Sequence, residues 1–166
     1  MLDDLIDPAA RLLVALLAGM VLGLNRDLHG KPTGVRTLGL VALSSSLITV
    51  ATMRYLARYG ALDLHPDAAS RAIQGLVQGV LTGIGFIGAG VILRAGPPPN
   101  RIHGLTTAAA VWSTTIIGLV CGFGDWGLLV ISMVLMLLLL VFGGTVERRL
   151  RSLLGATRLD PDDSGR

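Results

Sequence analysis

Charge is sparse along this sequence, and it gathers beside apolar runs. The most informative cluster is Gly23-Leu24-Asn25-Arg26-Asp27-Leu28-His29-Gly30-Lys31-Pro32-Thr33-Gly34-Val35-Arg36-Thr37. Charged groups this close to long apolar segments are costly unless they pair or reach water along their own stems. Arg26, Asp27 and Arg36 can meet that demand as an ion pair or triad. Gly30, Pro32 and Gly34 supply a tight, defined turn to hold it. Topological anchoring by positive charge accounts for Lys31, but it calls for neither Asp27 nor the constrained turn. The chemistry open to such a cluster is recognition at a membrane boundary, with Asp27 as its acid.

Other chemistries find less support. Gly83-Ile84-Gly85-Phe86-Ile87-Gly88 matches the dinucleotide pattern G-x-G-x-x-G, but it lies inside an apolar run rather than in a strand-to-helix turn. Leu105-Thr106-Thr107 stand about 20 residues on, where that fold needs an acid. Gly83, Gly85, Gly88 and Gly90 therefore suggest close packing or a broken helix, which at membrane depth must be buried or line a cavity. His29, His65 and His103 are isolated. No H-E-x-x-H, Cys–His cluster or G-x-S-x-G is present, and Ser44-Ser45-Ser46 has no base in its segment. We expect no metal site, no cofactor and no catalytic residue, hence a non-enzymatic protein. Cys121 is the single cysteine, so no intramolecular disulfide forms.

The elements that position these groups follow from composition. Of 166 residues, 52% are hydrophobic and only 15% charged, and there are 22 glycines. Soluble domains carry about 25% charged residues, so an ordinary solvated surface cannot be built here. The net charge of +3 forms no run along a face, which argues against nucleic acid as a partner. Five segments, near 8–25, 37–57, 72–93, 106–122 and 126–146, are long and apolar enough to span a bilayer. Backbone groups in hydrocarbon must be paired internally, so these are helices. The expected fold is all-α, an integral membrane bundle over 1–146 with a short basic-then-acidic tail over 147–166. The acidic flank Met1-Leu2-Asp3-Asp4 does not suit a signal peptide. Lys and Arg place ten residues on one side, among them Arg26, Lys31, Arg36, Arg94 and Arg101, and four on the other, Arg11, Arg54, Arg58 and Arg71. This predicts the N-terminus outside and the C-terminus in the cytoplasm.

The third span carries Gly75, Gly79 and Gly83 at four-residue spacing, beside Gln74, Gln78 and Thr82. Ala15, Gly19 and Gly23 repeat the device in span one, and Ala110, Thr114, Gly118 and Gly122 in span four; Ser45, Thr49 and Thr52 lie in span two. Small residues let helices approach, and hydroxyl or amide groups can bond between them. Spans one to four are therefore expected to form a tight core, with span five facing lipid. The glutamine row reads either as packing or as the lining of a polar path, and the glycine stripes offer a route to homo-oligomers.

Three of these stretches together resemble the MgtC/SapB family of bacterial inner-membrane proteins. Its first pattern runs approximately G-L-E-R-E and then G-K-P-A-G-L-R-T, against Gly23-Leu24-Asn25-Arg26-Asp27 and Gly30-Lys31-Pro32-Thr33-Gly34-Val35-Arg36-Thr37 here. Its G-x-x-F-L-G-A-G resembles Gly83 to Gly90, and its G-L-T-T-A-A-x-x-W is matched by Gly104-Leu105-Thr106-Thr107-Ala108-Ala109-Ala110-Val111-Trp112. Two departures stand out. Asn25 replaces the usual Glu, and Asp27 is shorter than the usual Glu, which weakens any role needing two acids.

The resemblance implies a multi-pass protein of the bacterial inner membrane, labelled for magnesium transport and tied to magnesium limitation, stress and virulence. Partners implied are the lipid bilayer and other membrane proteins, ATP synthase among them. Longer members carry a C-terminal cytoplasmic domain, and the residues after Val146 here are too few to fold as one. Carried over by resemblance are Arg26, Asp27, Gly34, Arg36, Thr37, Gly88, Gly90, Gly104, Thr106, Thr107 and Trp112. The topology brings the first loop and the 94–105 loop to one side, so the motifs can converge there, with Pro97-Pro98-Pro99 stiffening and Arg101 and His103 adding charge. Two functions compete. One is action on partner proteins through this inner-face site; the other is direct transport of Mg2+ or another small ion past Gln74, Gln78, Thr82 and Asp27.

Overall fold

The computed structural model describes residues 3–60, 65–93 and 104–153. Among them are five helices and no strand: α1 (Asp3–Leu28), α2 (Val35–Arg58), α3 (Pro66–Leu93), α4 (Leu105–Phe123) and α5 (Trp126–Leu153). All five contain a stretch long and apolar enough to cross a membrane. The helices overrun the expected spans at most ends, because the hydrogen-bond ladder continues past the hydrocarbon boundary. Thus α5 runs on to Leu153, into the expected tail. The stretch 94–103, with Arg94, Pro97-Pro98-Pro99, Arg101 and His103, lies outside the described residues, as does 154–166.

Local chemistry sets the helix ends. Gly30 sits at φ +61°, and the amides of Gly30 and Lys31 bond back to the carbonyls of Asp27 and Arg26, a Schellman ending for α1. Gly124, at φ +83°, ends α4 the same way, with Gly124 and Asp125 bonding back to Cys121 and Val120. Asp125 then caps α5 by accepting the Leu128 amide at 3.0 Å. Pro8 lies inside α1 and cannot donate to the Asp4 carbonyl. That oxygen accepts instead from Arg54 Nη1 at 2.8 Å, while Arg54 Nη2 pairs with the Asp4 carboxylate at 2.6 Å. The far end of α2 is thereby fastened to the start of α1.

The core belongs to α1, α2 and α4. Ala15, Leu22, Leu38, Ala42, Val111, Ile117 and Cys121 are buried there. Small residues set the helix spacing: a methyl on Gly19 would fall 2.8 Å from Ala42 Cβ, one on Gly118 2.7 Å from Ser45 Cβ, and one on Gly122 2.5 Å from Thr49 Cβ. Four of the buried hydroxyls do not bond between helices as expected. Ser45, Thr49, Thr114 and Thr115 each donate to the carbonyl four residues back in their own helix. A carbonyl one turn away is always within reach, and no helix need shift to supply it.

The third helix departs from expectation. Nothing lies within 4 Å of the position a Cβ would take on Gly75, Gly79, Gly83 or Gly90, and Gln74, Gln78 and Thr82 are exposed beside them. Instead α3 turns its larger apolar side inward, through Val77, Val80, Ile84 and Gly88; only Gly88 of the expected glycines meets a neighbour, Ala108 Cβ at 3.5 Å. Burying branched side chains removes more surface than burying a glycine row, and that preference decides the helix's rotation. The fifth helix leans on the outside of the core; of its residues up to Val146, Leu129 alone is buried.

Candidate functional site

Arg26 stands at the last turn of α1 and is 2% exposed. Its guanidinium does not face a carboxylate. Nη2 donates to the Pro32 carbonyl and to Thr107 Oγ1, both at 2.7 Å. Nε lies 3.2 Å from the Pro32 carbonyl, the Thr33 carbonyl and Thr33 Oγ1. One side chain thus holds the α1–α2 turn and the first turn of α4 together. Presenting those carbonyls requires an unusual backbone. Thr33 adopts φ +65°, a region a β-branched residue seldom enters, and its hydroxyl donates to Pro32 O at 2.5 Å. Gly104, at φ +85° before α4, packs on the Val91 carbonyl and so sets the angle at which Thr107 enters.

Asp27 works on the other side of the turn. Helix α2 begins at Gly34, which has no side chain to cap it. Asp27 Oδ2 accepts the Val35 amide at 2.9 Å and so supplies both the missing acceptor and a negative charge at the positive end of the helix. Its carboxylate occupies the space a Cβ on Gly34 would need. The expected ion pair or triad is therefore not formed: Asp27 pairs with neither Arg26 nor Arg36. The backbone competes successfully for both charged groups, because turn carbonyls surround Arg26 and an uncapped amide faces Asp27. The described ion pairs are Arg11–Asp7 and Arg54–Asp4, at the opposite end of the bundle.

Beside Arg26 opens a cleft of about 710 Å³ between α1, α4 and α5. Its mouth is made by Asn25, Arg26, His29, Lys31, Thr106 and Thr145; deeper in, Leu22, Leu38, Met136, Leu139 and Leu140 line it together with Ser113 and Thr114. His29 donates from Nδ1 to the Asn25 carbonyl at 2.6 Å, which leaves Nε2 for the cleft. No Asp or Glu is among the described residues lining it.

Of the residues expected to form the site, Arg26, Asp27, Gly34, Gly104, Thr106 and Thr107 do gather around this turn. Arg36 and Thr37 are exposed on the first turn of α2 and reach none of these partners, and Trp112 is 44% exposed on α4, away from the cleft lining. Gln74, Gln78 and Thr82 are separate from it on α3. Sequence reasoning missed the carbonyls of Pro32 and Thr33, and the contribution of α5 through Met136 and Thr145. A threonine between Pro32 and Gly34 was the available signal for the first; nothing in the uniform apolar run of α5 marks the second. Among the described residues no three potential metal ligands converge.

The sequence profile of the MgtC family matches residues 12–149. Protein SrpB of Synechococcus elongatus is 43% identical over 123 residues, covering 71% of this chain and 64% of its own. Protein SapB of Bacillus subtilis is 34% identical over 163 residues, covering 95% of this chain and 65% of its own. An Escherichia coli K12 protein named "Putative magnesium transporter YhiD" is 37% identical over 131 residues, covering 78% of this chain and 57% of its own. The chain thus spans less than two thirds of the length of these relatives. No solved structure matches it.

Proposed function

The chain belongs to the MgtC family, and from that premise we propose that it is a bacterial inner-membrane protein serving adaptation to magnesium limitation, stress or a host by modulating partner membrane proteins. It neither catalyses a reaction nor carries Mg2+ itself. The observation that carries this reading is the charge at the site. Arg26 is buried among neutral acceptors, and no Asp or Glu lies along α2 or α4. A strongly hydrated dication needs carboxylates and retained water, and a fixed guanidinium repels it. Asp27, the nearby acid, is committed to the start of α2.

In this reading the Arg26 turn faces the cytoplasm, where it braces the surface that partners such as ATP synthase meet. The open Gly75–Gly79–Gly83 face of α3, with Gln74 and Gln78, suits a helix from another membrane protein or from a second copy of the chain. The alternative is a direct transporter, which the printed name of the Escherichia coli relative favours. Its path along Gln74, Gln78 and Thr82 then has to be enclosed by another chain, since α3 leaves that face uncovered.

Purified protein reconstituted into liposomes containing a Mg2+ indicator tests the choice. The expected outcome is no saturable flux, together with poor low-magnesium growth of cells lacking the protein and rescue by the parent but not by Asp27→Asn. Saturable Mg2+ uptake that disappears with Asp27→Asn overturns the reading and establishes the transporter.

A further inference from the structure

The cleft beside Arg26 has two unlike ends, and a membrane offers a ligand with the same division. At its polar end the buried guanidinium uses Nε and Nη2 on Pro32, Thr33 and Thr107, while Nη1 makes no hydrogen bond to the described residues. Lys31 borders the same space, beside His29. Arg26 and Lys31 bring two cations to this end, with no described acid among the lining residues. A cation is therefore disfavoured and an anion with several acceptor oxygens is favoured.

The other end is lined mainly by the membrane-spanning parts of α1, α2 and α5, through Leu22, Leu38, Met136, Leu139 and Leu140, with Ser113 and Thr114 of α4 beside them. A soluble anion has no use for this wall. The volume of about 710 Å³ also falls in the range of roughly 300–1,000 Å³ typical of pockets that bury organic ligands. Basic pockets between spans, at the level where helices leave the hydrocarbon, suit phosphate headgroups whose chains stay in the bilayer.

We infer that this cleft binds an anionic phospholipid, with the headgroup phosphate on Arg26 and Lys31 and an acyl chain against α5. The inference uses the site described above but not the modulator reading, so each can fail alone. The lipid completes the hydrogen bonding of the buried guanidinium, fills the gap between α5 and the core, and makes the shape of the turn sensitive to membrane composition.

The test uses the full chain, purified in detergent and stripped of lipid. Thermal midpoints are measured with added phosphatidylglycerol, phosphatidylcholine or inorganic phosphate, and retained lipid is counted by native mass spectrometry. Phosphatidylglycerol is expected to raise the midpoint and remain bound, whereas phosphatidylcholine and inorganic phosphate do neither. Lys31→Gln is expected to weaken phosphatidylglycerol binding about fivefold, the worth of one basic residue at a membrane surface. Ala110→Leu, which narrows the cleft while leaving both Arg26 and Lys31, is expected to lower lipid retention as well. Equal binding of both lipids, or phosphatidylglycerol binding untouched by either substitution, overturns the inference. Inorganic phosphate matching phosphatidylglycerol also overturns it, reassigning the cleft to a soluble anion. Mg2+ flux measured on the same preparations reports separately on the proposed function.

Discussion

Asp27 and Gly34 form a pair in which one residue's absence of a side chain makes room for the other's carboxylate. Glycine at 34 leaves α2 without a cap of its own, and Asp27 supplies it from seven residues upstream. Gly34→Ala places a methyl where the carboxylate stands, so it should break the Val35 bond and cost about 1–2 kcal/mol, the range of a lost helix cap. Asp27→Ala alone should cost a similar amount. Combined, the two changes are expected to cost clearly less than their sum, because the methyl then meets empty space. Unfolding titrations of the four proteins in mixed micelles measure this, and strict additivity shows that the residues are not coupled. The sequence marked both residues as special but suggested the wrong bond. Proximity of opposite charges pointed to a salt bridge, and an unpaired backbone amide, which residue types do not advertise, took the carboxylate.

Helix rotation separates the small-residue stripes into two kinds. Gly19, Gly118 and Gly122 lie where α1, α2 and α4 touch, so Gly118→Leu should force those helices apart and cost about 3 kcal/mol or more. Gly79→Leu meets open space and should leave the monomer's stability nearly unchanged. Detergent-resistance assays on the two variants check the contrast; equal losses show that α3 packs by its glycine face. The number and type of helices could be read from hydropathy because a bilayer fixes both length and backbone pairing. Which stripe meets which neighbour could not, since α3 offers a glycine face and a branched apolar face at the same period. Only the competition for burial chooses between them.

At the scale of the molecule, antiparallel packing brings the end of α1, both ends of the α1–α2 turn and the start of α4 together. That the first turn and the start of α4 share one end of the bundle was legible, because alternating spans must return their loops to the same sides. The contribution of α5 was not, since a featureless apolar helix carries no mark of what it closes. The ten-to-four distribution of Lys and Arg predicts that this end faces the cytoplasm. In a Cys121→Ala background, Lys31→Cys should be protected from an impermeant maleimide in intact cells and Tyr59→Cys should react. Both positions are exposed and lie at opposite ends of α2. The reverse labelling pattern inverts the topology.

The bond between Arg26 and Thr107 joins residues 81 apart in the chain. A ribosome adding about 5–20 residues per second needs roughly 4–16 s to make the intervening chain. Throughout that interval the guanidinium has been made while its hydroxyl partner does not yet exist. The carbonyls of Pro32 and Thr33 are synthesised almost at once, so the turn can hold the charge at the membrane boundary in the meantime. In order of synthesis, the turn's own carbonyls are therefore the first acceptors within the guanidinium's reach, and the Thr107 hydroxyl is the last.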